Sequence, residues 1–395
     1  MKSIDEHNFK NEKAIIRVDF NVPLDSQKNV TDNSRIEAAK STILKIINDG
    51  GSCILVSHLG RPKGKDQEFS LRHIVKEIEK TLGLKITFVP QVIGEQALKA
   101  SREIQPKEII LLENLRFHPE ESSGEESFAK TLASFADCYI NDAFGTAHRT
   151  HASTAVIAKY FPNKKFAGHL LLKEVSSIQK VMDSGEKPVL GIFGGAKVSS
   201  KITIIDNIID KVDSLIIGGG MAFTFIKALG GNIGKSICEN DKMDLALAIL
   251  EKAKNKNVSI HLPLDVVCGD DFSEEANTIE VDINNIPEGW EGMDVGPKSR
   301  VLFDKIINQS KTILWNGPVG VFELKKFSKG TIAIGESIVR STKKGAFSLV
   351  GGGDSVAAVK KFNFEGRVSY VSTGGGAMLE SLEGKTLPGI QALTN

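Results

Sequence analysis

Residues 52–65 read SCILVSHLGRPKGK. From Cys53 to Val56 the chain is apolar at consecutive positions rather than alternate ones. That is the pattern of a strand buried on both faces, as in a parallel sheet covered by helices. The run opens into a loop carrying His58, Arg61, Lys63 and Lys65, which is either a solvated turn or the start of an anion site.

Working outward, the same grammar recurs. AIIRVDF, KITFVP, EIILLEN and CYIND read as strands in the first part of the chain. PVLGIFGG, SLIIGGG, VSIHLPLDVV, TILWNG, FSLVGGG and VSYVSTGGG follow in the second. Helical patterns such as RIEAAKSTILKIIND, LRHIVKEIEKTLG and DKMDLALAILEKAKNK lie between them. Alternation of short apolar runs with amphipathic helices predicts a doubly wound α/β fold, whose ligands bind at the carboxyl ends of the strands. At 395 residues the chain exceeds one ordinary core, so two domains are expected. The join is placed at 166–188, where Leu171, Leu172, Val175, Ile178 and Val181 keep helical spacing before Asp183-Ser184-Gly185 breaks it.

Composition narrows the function classes. Apolar residues make up 41% and charged residues 25%, a globular balance. Fifty basic against 49 acidic side chains leave a net charge of +1, so neither nucleic acid nor a membrane surface is an expected partner. The charged N-terminal stretch MKSIDEHNFKNEK is not a signal peptide, and no run approaches the ~20 apolar residues of a membrane span. Cys53, Cys138, Cys238 and Cys268 lie far apart beside apolar runs, reading as small buried hydrophobes of a reduced, cytoplasmic protein.

The two parts carry different chemistry at their predicted strand ends. Seven of the ten arginines fall within residues 1–150, and 29 of the 37 glycines within 151–395. Glycine triplets at 218–220, 351–353 and 374–376 each follow an apolar run and precede a helical pattern. Such turns let backbone N–H groups approach a phosphate at a helix N-terminus. The dinucleotide fingerprint GxGxxG fails at all three, where Phe223, Val356 and Leu379 replace its last glycine. The P-loop pattern fails at LGGNIGKSI because Leu229 replaces its first glycine and the preceding segment reads as helix. In GIFGGAKVSSKI, a helix starting at the glycines would put Lys197 and Lys201 on one face over its N-terminus, a placement that calls for a bound anion. Asn316 and Glu323 of WNGPVGVFE could serve a ribose or a metal-phosphate group, or simply shape a turn. Asp354 of GGGDS stands where a Mg²⁺ ligand would sit, with helix capping by Asp354 or Ser355 as the rival reading.

On the arginine side, Asp19 and Asn21 follow AIIRV, Arg35 opens a helix, His58 and Arg61 follow CILVS, Arg116 follows IILLENL, and Arg149 follows CYI. Basic groups converging from five segments suit a small polyanion, since the guanidinium fork contacts carboxylate and phosphate bidentately. His58, His148 and His151 lack companion carboxylates or cysteines, so no metal site is read there.

The ordered strings RVDFNVP, SHLGRP, LLENLRFH, NDAFGTAHRTHAS, GGAKVSSKI, IGGGMAFTF, DVGP, WNGPVGVFE, GGGDS and STGGGAMLE resemble the phosphoglycerate kinase family. The resemblance implies two Rossmann-like doubly wound domains with mainly parallel sheets: 1–166 for substrate, 184–376 for nucleotide, joined by a helix at 167–183. The segment 377–395 is expected to pack back on the first domain. It further implies that 3-phosphoglycerate or 1,3-bisphosphoglycerate meets Asp19, Phe20, Asn21, Arg35, His58, Leu59, Gly60, Arg61, Arg116 and Arg149. ADP or ATP would lie along Gly195, Lys197, Lys201, Gly219, Gly292, Asn316, Glu323, Gly351, Gly352, Gly353, Asp354 and Ser355, with Asp354 meeting Mg. The implied reaction is glycolytic phosphoryl transfer to and from a carboxyl group, by a hinge-bending monomer. Arg35 and Lys197 are the catalytic candidates, with no dedicated base. Ser200 departs from the Asp that many members carry. A two-lobed anion-binding protein and a dehydrogenase are the rivals; the first does not account for Lys197, Lys201 and the glycine triplets, and the second lacks the dinucleotide fingerprint.

Overall fold

A computed structural model describes residues 1–394. Two compact units are present: Met1–Val175 together with Thr386–Asn395, and Ser176–Lys385.

The first unit is built on six parallel strands, β1 (Lys13–Val18), β2 (Ser52–Val56), β3 (Thr87–Val89), β4 (Ile109–Leu112), β5 (Cys138–Asp142) and β6 (Lys165–Ala167), ordered β3-β4-β2-β1-β5-β6. Every residue of β2, β4 and β5 is buried, as the continuous apolar runs require. The helix Ser34–Asp49 buries Ile36, Ala39, Ile43, Ile46 and Ile47, an i, i+3, i+4 stripe against the sheet. Gly50 ends it in the left-handed conformation, φ 91°, which glycine adopts without a Cβ penalty. Because the order runs outward from β1 and β2 in both directions, the carboxyl ends of β1, β2, β4 and β5 fan around one crevice.

The second unit continues with β7 (Val189–Phe193), β8 (Ser214–Ile217), β9 (Asn232–Ile233), β10 (Ser259–His261), β11 (Asp265–Gly269), β12 (Thr278–Asp282), β13 (Asn285–Ile286), β14 (Glu291–Val295), β15 (Thr312–Asn316), β16 (Phe347–Val350) and β17 (Tyr370–Val371). Its main sheet is parallel, ordered β10-β8-β7-β15-β16-β17. The segment 258–267, expected as one strand, is two: β10 joins the parallel sheet, whereas β11 joins an antiparallel sheet ordered β12-β11-β14. Pro263 lies between them, and a residue without an N–H cannot sustain a central ladder. This small sheet was not foreseen, because β12 alternates exposed and half-buried residues in a polar stretch.

The linking helix spans His169–Met182, and the division between units falls inside it. Asp142, at the end of β5, receives the Leu170 and Leu171 N–H groups at 2.9 and 3.2 Å and so caps that helix. The return to the first unit begins at Thr386 rather than 377, since the helix Gly376–Leu382 packs on the helix Ile202–Ile208 of the second unit. Cys53, Cys138 and Cys268 are core residues, and Cys238 is half-buried.

Candidate active site

On the first unit the site is a set of strand ends held open by hydrogen bonds. The Ser57 hydroxyl just past β2 accepts the Phe20 N–H at 2.9 Å, locking the turn after β1 to that after β2. The Asn21 side-chain oxygen accepts the Gly60 N–H at 2.8 Å. Asn114, after β4, donates to the Leu59 and Phe69 carbonyls at 2.7 and 2.8 Å. Arg116 donates to the Gly60 carbonyl at 2.8 Å. Gly60 has φ +63°, and a Cβ there would lie 2.2 Å from the Phe69 ring, so both backbone and space demand glycine. Phe20 and Leu59 bury their side chains in the core; only their main chain can face a ligand.

Around these turns stand the cations. Arg35 donates to Asp19, which is buried. Arg17, fully buried on β1, donates to the Ser153 hydroxyl at 2.9 Å and through Nη2 to His58 Nδ1 at 3.1 Å. Ser153 passes the contact on to buried Glu121, its hydroxyl donating at 2.7 Å. Arg61 and Arg149 are exposed at the rim.

The electrostatics show that these groups feel one another. Burial holds His58 well below its ordinary value; Asp19 opposes this, and Arg17, Arg116 and Arg35 reinforce it. Arg116 is lowered by burial and by the charges of Arg17 and Arg61. His151 falls to about 4 through burial, then Arg17, Arg116, Arg149 and His148. Asp19 stays below its usual range although burial pushes it up, because Arg35, His58 and Arg17 outweigh that cost. Arg17, Arg35, Arg61, Arg116 and Arg149 therefore act on one set of neighbouring groups, in which Asp19 and Glu121 are the carboxylates that act on Arg116. Such a surplus of converging cations is complementary to a compact polyanion.

The second unit collects its site differently. Gly194, Gly195, Ala196, Lys197, Ser200, Lys201, Gly317, Gly352, Gly353, Asp354 and Ser355 line one pocket at the ends of β7, β15 and β16. The loops meet backbone to backbone. A Cβ on Gly194 would lie 2.0 Å from the Pro318 carbonyl, and one on Gly317, φ +114°, 2.2 Å from that of Gly194. Asn316 is buried, donates to the Gly351 carbonyl at 2.7 Å and accepts from Lys201. Lys201 is lowered by burial, which Asp354 partly offsets.

Lys197 and Lys201 precede a helix that begins at Ile202, not at the glycines as expected; residues 194–201 form turns instead. Gly195, at φ +106°, redirects the chain, so the lysines reach the pocket from a loop. The helix facing them is Gly353–Lys361, whose N-cap Gly352 supplies no side-chain cap. Capping by Asp354 or Ser355 is thereby overturned: Asp354 stands in the first helical turn, and the Ser355 hydroxyl accepts the Gly317 N–H at 2.6 Å. The uncapped N–H groups open toward the lysines, an arrangement suited to phosphate.

An apolar slot adjoins this pocket and shares Gly195, Ala196 and Asp354 with it. Phe223, Ile237, Pro263, Phe272, Met293 and Val319 line it, with Gly219, Gly292 and Glu323. Gly292 is required there because a Cβ would lie 2.2 Å from the Phe223 ring. The sequence reading missed the apolar lining, since its residues come from five distant segments. It also missed Arg17, Ser57, Asn114, Glu121 and Ser153; an arginine inside the apolar run AIIRV was the signal available.

An α/β protein with a basic side-chain crevice on one parallel sheet and a glycine-lined, lysine-flanked pocket on another has the parts of a small-molecule phosphotransferase. A family model for phosphoglycerate kinase matches residues 4–385. The phosphoglycerate kinase of Porphyromonas gingivalis is 50% identical, with 99% of both chains covered. The one from Nicotiana tabacum, described as cytosolic, is 48% identical over 99% of this chain and 97% of its own. The solved structure of the Coxiella burnetii phosphoglycerate kinase superposes with a TM-score of 0.91 at 42% identity, covering 99% of this chain and 98% of that one. The chain belongs to the phosphoglycerate kinase family, whose members carry out the glycolytic transfer of a phosphoryl group between 1,3-bisphosphoglycerate and ADP.

Proposed function

We propose that the basic crevice of the first unit holds 3-phosphoglycerate or 1,3-bisphosphoglycerate, and that the second unit holds ADP or ATP. The observation that carries this is the arginine surplus around His58: a ligand bearing both a carboxyl group and a phosphate supplies the missing negative charge. Arg35, Arg61, Arg116 and Arg149 contact its charged groups, with Asp19 and Asn21 orienting Arg35 and the Gly60 turn. On the second unit, the nucleotide base occupies the apolar slot, Glu323 meets the ribose, and the phosphates lie against Lys197, Lys201 and the N–H groups of residues 352–355.

Magnesium fits this donor set. Among the described residues no group of three or more His, Cys, Asp or Glu side chains could hold a metal alone. Asp354 lines both nucleotide pockets, and magnesium is commonly held by one or two carboxylates together with substrate phosphates. Bound there, magnesium would neutralise phosphate charge.

The protein's own groups do the rest by position and charge. An acyl phosphate leaves as a weakly basic carboxylate, and the ADP oxygen that attacks needs no deprotonation, so no general base is required. Arg35 and Lys197 stabilise the charge on the moving phosphoryl group. Because acceptor and donor are bound on separate units, turnover requires bringing them together with water excluded. Cytoplasmic residence and a monomeric state belong to the same proposal; no described helix is long and apolar enough to cross a membrane. A coupled assay with ATP, magnesium and 3-phosphoglycerate tests the reaction, and absence of ADP formation by folded protein overturns it.

A further inference from the structure

His58 and Arg17 carry a relationship that neither the reaction nor the resemblance assigns. His58 is 4% exposed and Arg17 1% exposed. The Arg17 Nη2 lies 3.1 Å from His58 Nδ1. A guanidinium has donors only, so His58 Nδ1 must be the acceptor. An imidazole that accepts at Nδ1 and is neutral carries its hydrogen on Nε2. Arg17 cannot swing away to allow the other tautomer, because its Nε donates to Ser153 at 2.9 Å and its Nη1 to the Val18 carbonyl. Ser153 is in turn gripped by Glu121 through its N–H and its hydroxyl, at 2.9 and 2.7 Å.

From this geometry we propose that Arg17 is a positioning residue that locks His58 as a neutral imidazole, presenting Nε2–H as a hydrogen-bond donor to the anionic acceptor. The inference rests on the reading of this crevice as the acceptor site. Protonating Nδ1 would aim an N–H at the guanidinium of Arg17, and the other groups acting on the ring are Asp19, Arg116 and Arg35. Asp19 Oδ1 approaches Nδ1 only to 3.9 Å and is already engaged by Arg35 through its other oxygen, so it does not recruit the second proton. The consequence is functional. A charged histidine would make acceptor binding strengthen on acidification, whereas a locked neutral donor holds its contact constant across the physiological range.

The test is heteronuclear NMR of the wild-type protein with ¹⁵N-labelled histidine, free and with 3-phosphoglycerate. The expected result is an Nε2–H tautomer for His58 that does not titrate between about pH 5.5 and 8. An Nδ1–H tautomer, or charging within that window, overturns the proposal without any variant. Arg17→Met, which removes the donor, should let His58 titrate and raise the KM for 3-phosphoglycerate about tenfold or more at pH 8, with the deficit shrinking as pH falls. Arg17→Lys, which keeps a donor, should restore a KM as independent of pH as in the wild type. A KM deficit in Arg17→Met that stays the same at every pH, with His58 still not titrating, assigns Arg17 a structural role and overturns the lock. If the tautomer is as stated but 3-phosphoglycerate leaves the His58 resonances unmoved, the acceptor-site reading falls, and the donor role built on it falls too.

Discussion

In the proposed assignment, the two units recognise anions with opposite halves of the polypeptide. In the first, the recognising groups would be side chains: five arginines, of which Arg35, Arg17 and Arg116 are steered by hydrogen bonds to Asp19, Ser153 and the Gly60 carbonyl. In the second, the main chain dominates, with the uncapped start of the helix Gly353–Lys361 and glycines through which three loops touch, assisted by two lysines. A side-chain site carries full charges and can pay for their burial with geometry, as Arg17 and Asp19 do. A main-chain site carries partial charges and needs close approach, which is why a Cβ has no room at Gly194 or Gly317. The first should therefore fail by losing charge, and the second by gaining bulk.

The largest expected effect breaks the first unit's side of that contrast. Arg35→Ala should lower kcat/KM by about 10²–10³-fold while ATP binding, followed by calorimetry, stays as in the wild type. Loss of ATP binding instead would refute the division of ligands between units. Next comes the second unit. Gly317→Ala places a Cβ against the Gly194 carbonyl at a φ that L-residues avoid, and should cost about 1–3 kcal/mol of stability along with nucleotide affinity. Both tryptophans, Trp290 and Trp315, lie in this unit, so their fluorescence during urea unfolding reports it selectively.

A pH measurement sharpens the comparison further. Asp294 borders the apolar slot, where burial raises it to about 8 even though the Gly330 and Val295 N–H groups donate to it. Its folded value lies above its unfolded one, so the folded state keeps a proton that the unfolded state has lost. Stability of the second unit should fall between about pH 4 and 8, by roughly 1.4 kcal/mol per unit from this group, and level off above. Asp294→Asn should flatten that slope in the tryptophan signal; an unchanged slope would place the proton elsewhere. The smallest effect is expected at Lys63 and Lys65, which are exposed beyond Arg61. Alanine at either should leave the KM for 3-phosphoglycerate within about twofold, as exposed charges contribute little.

Much of this was legible in the sequence. Continuous apolar runs located nearly every strand of the two parallel sheets, because a strand buried on both faces has no alternative composition. The glycine triplets at 218–220 and 351–353 marked strand-to-helix turns, and each is one: β8 leads through 218–220 into the helix Met221–Ala228, and β16 through 351–352 into Gly353–Lys361. Where the pattern misled, a local signal competed with a tertiary one. The run 258–267 looked uniform, yet Pro263 splits it between two sheets. Lys197 and Lys201 had helical spacing, yet Gly195 turns the chain and delays the helix to Ile202.

By itself, then, the sequence determined the fold class, the chemistry available to each half and the family, since these depend on residue type and order along the chain. Only the tertiary structure decided which neighbours each charge keeps. The loop HLGRPKG could have been a solvated turn; burial is what lowers the His58 imidazole most, and Arg17 on the adjacent strand, 3.1 Å away across 41 residues of chain, reinforces it. Burial and partner geometry set the protonation of a side chain, and both are properties of the fold rather than of the residue.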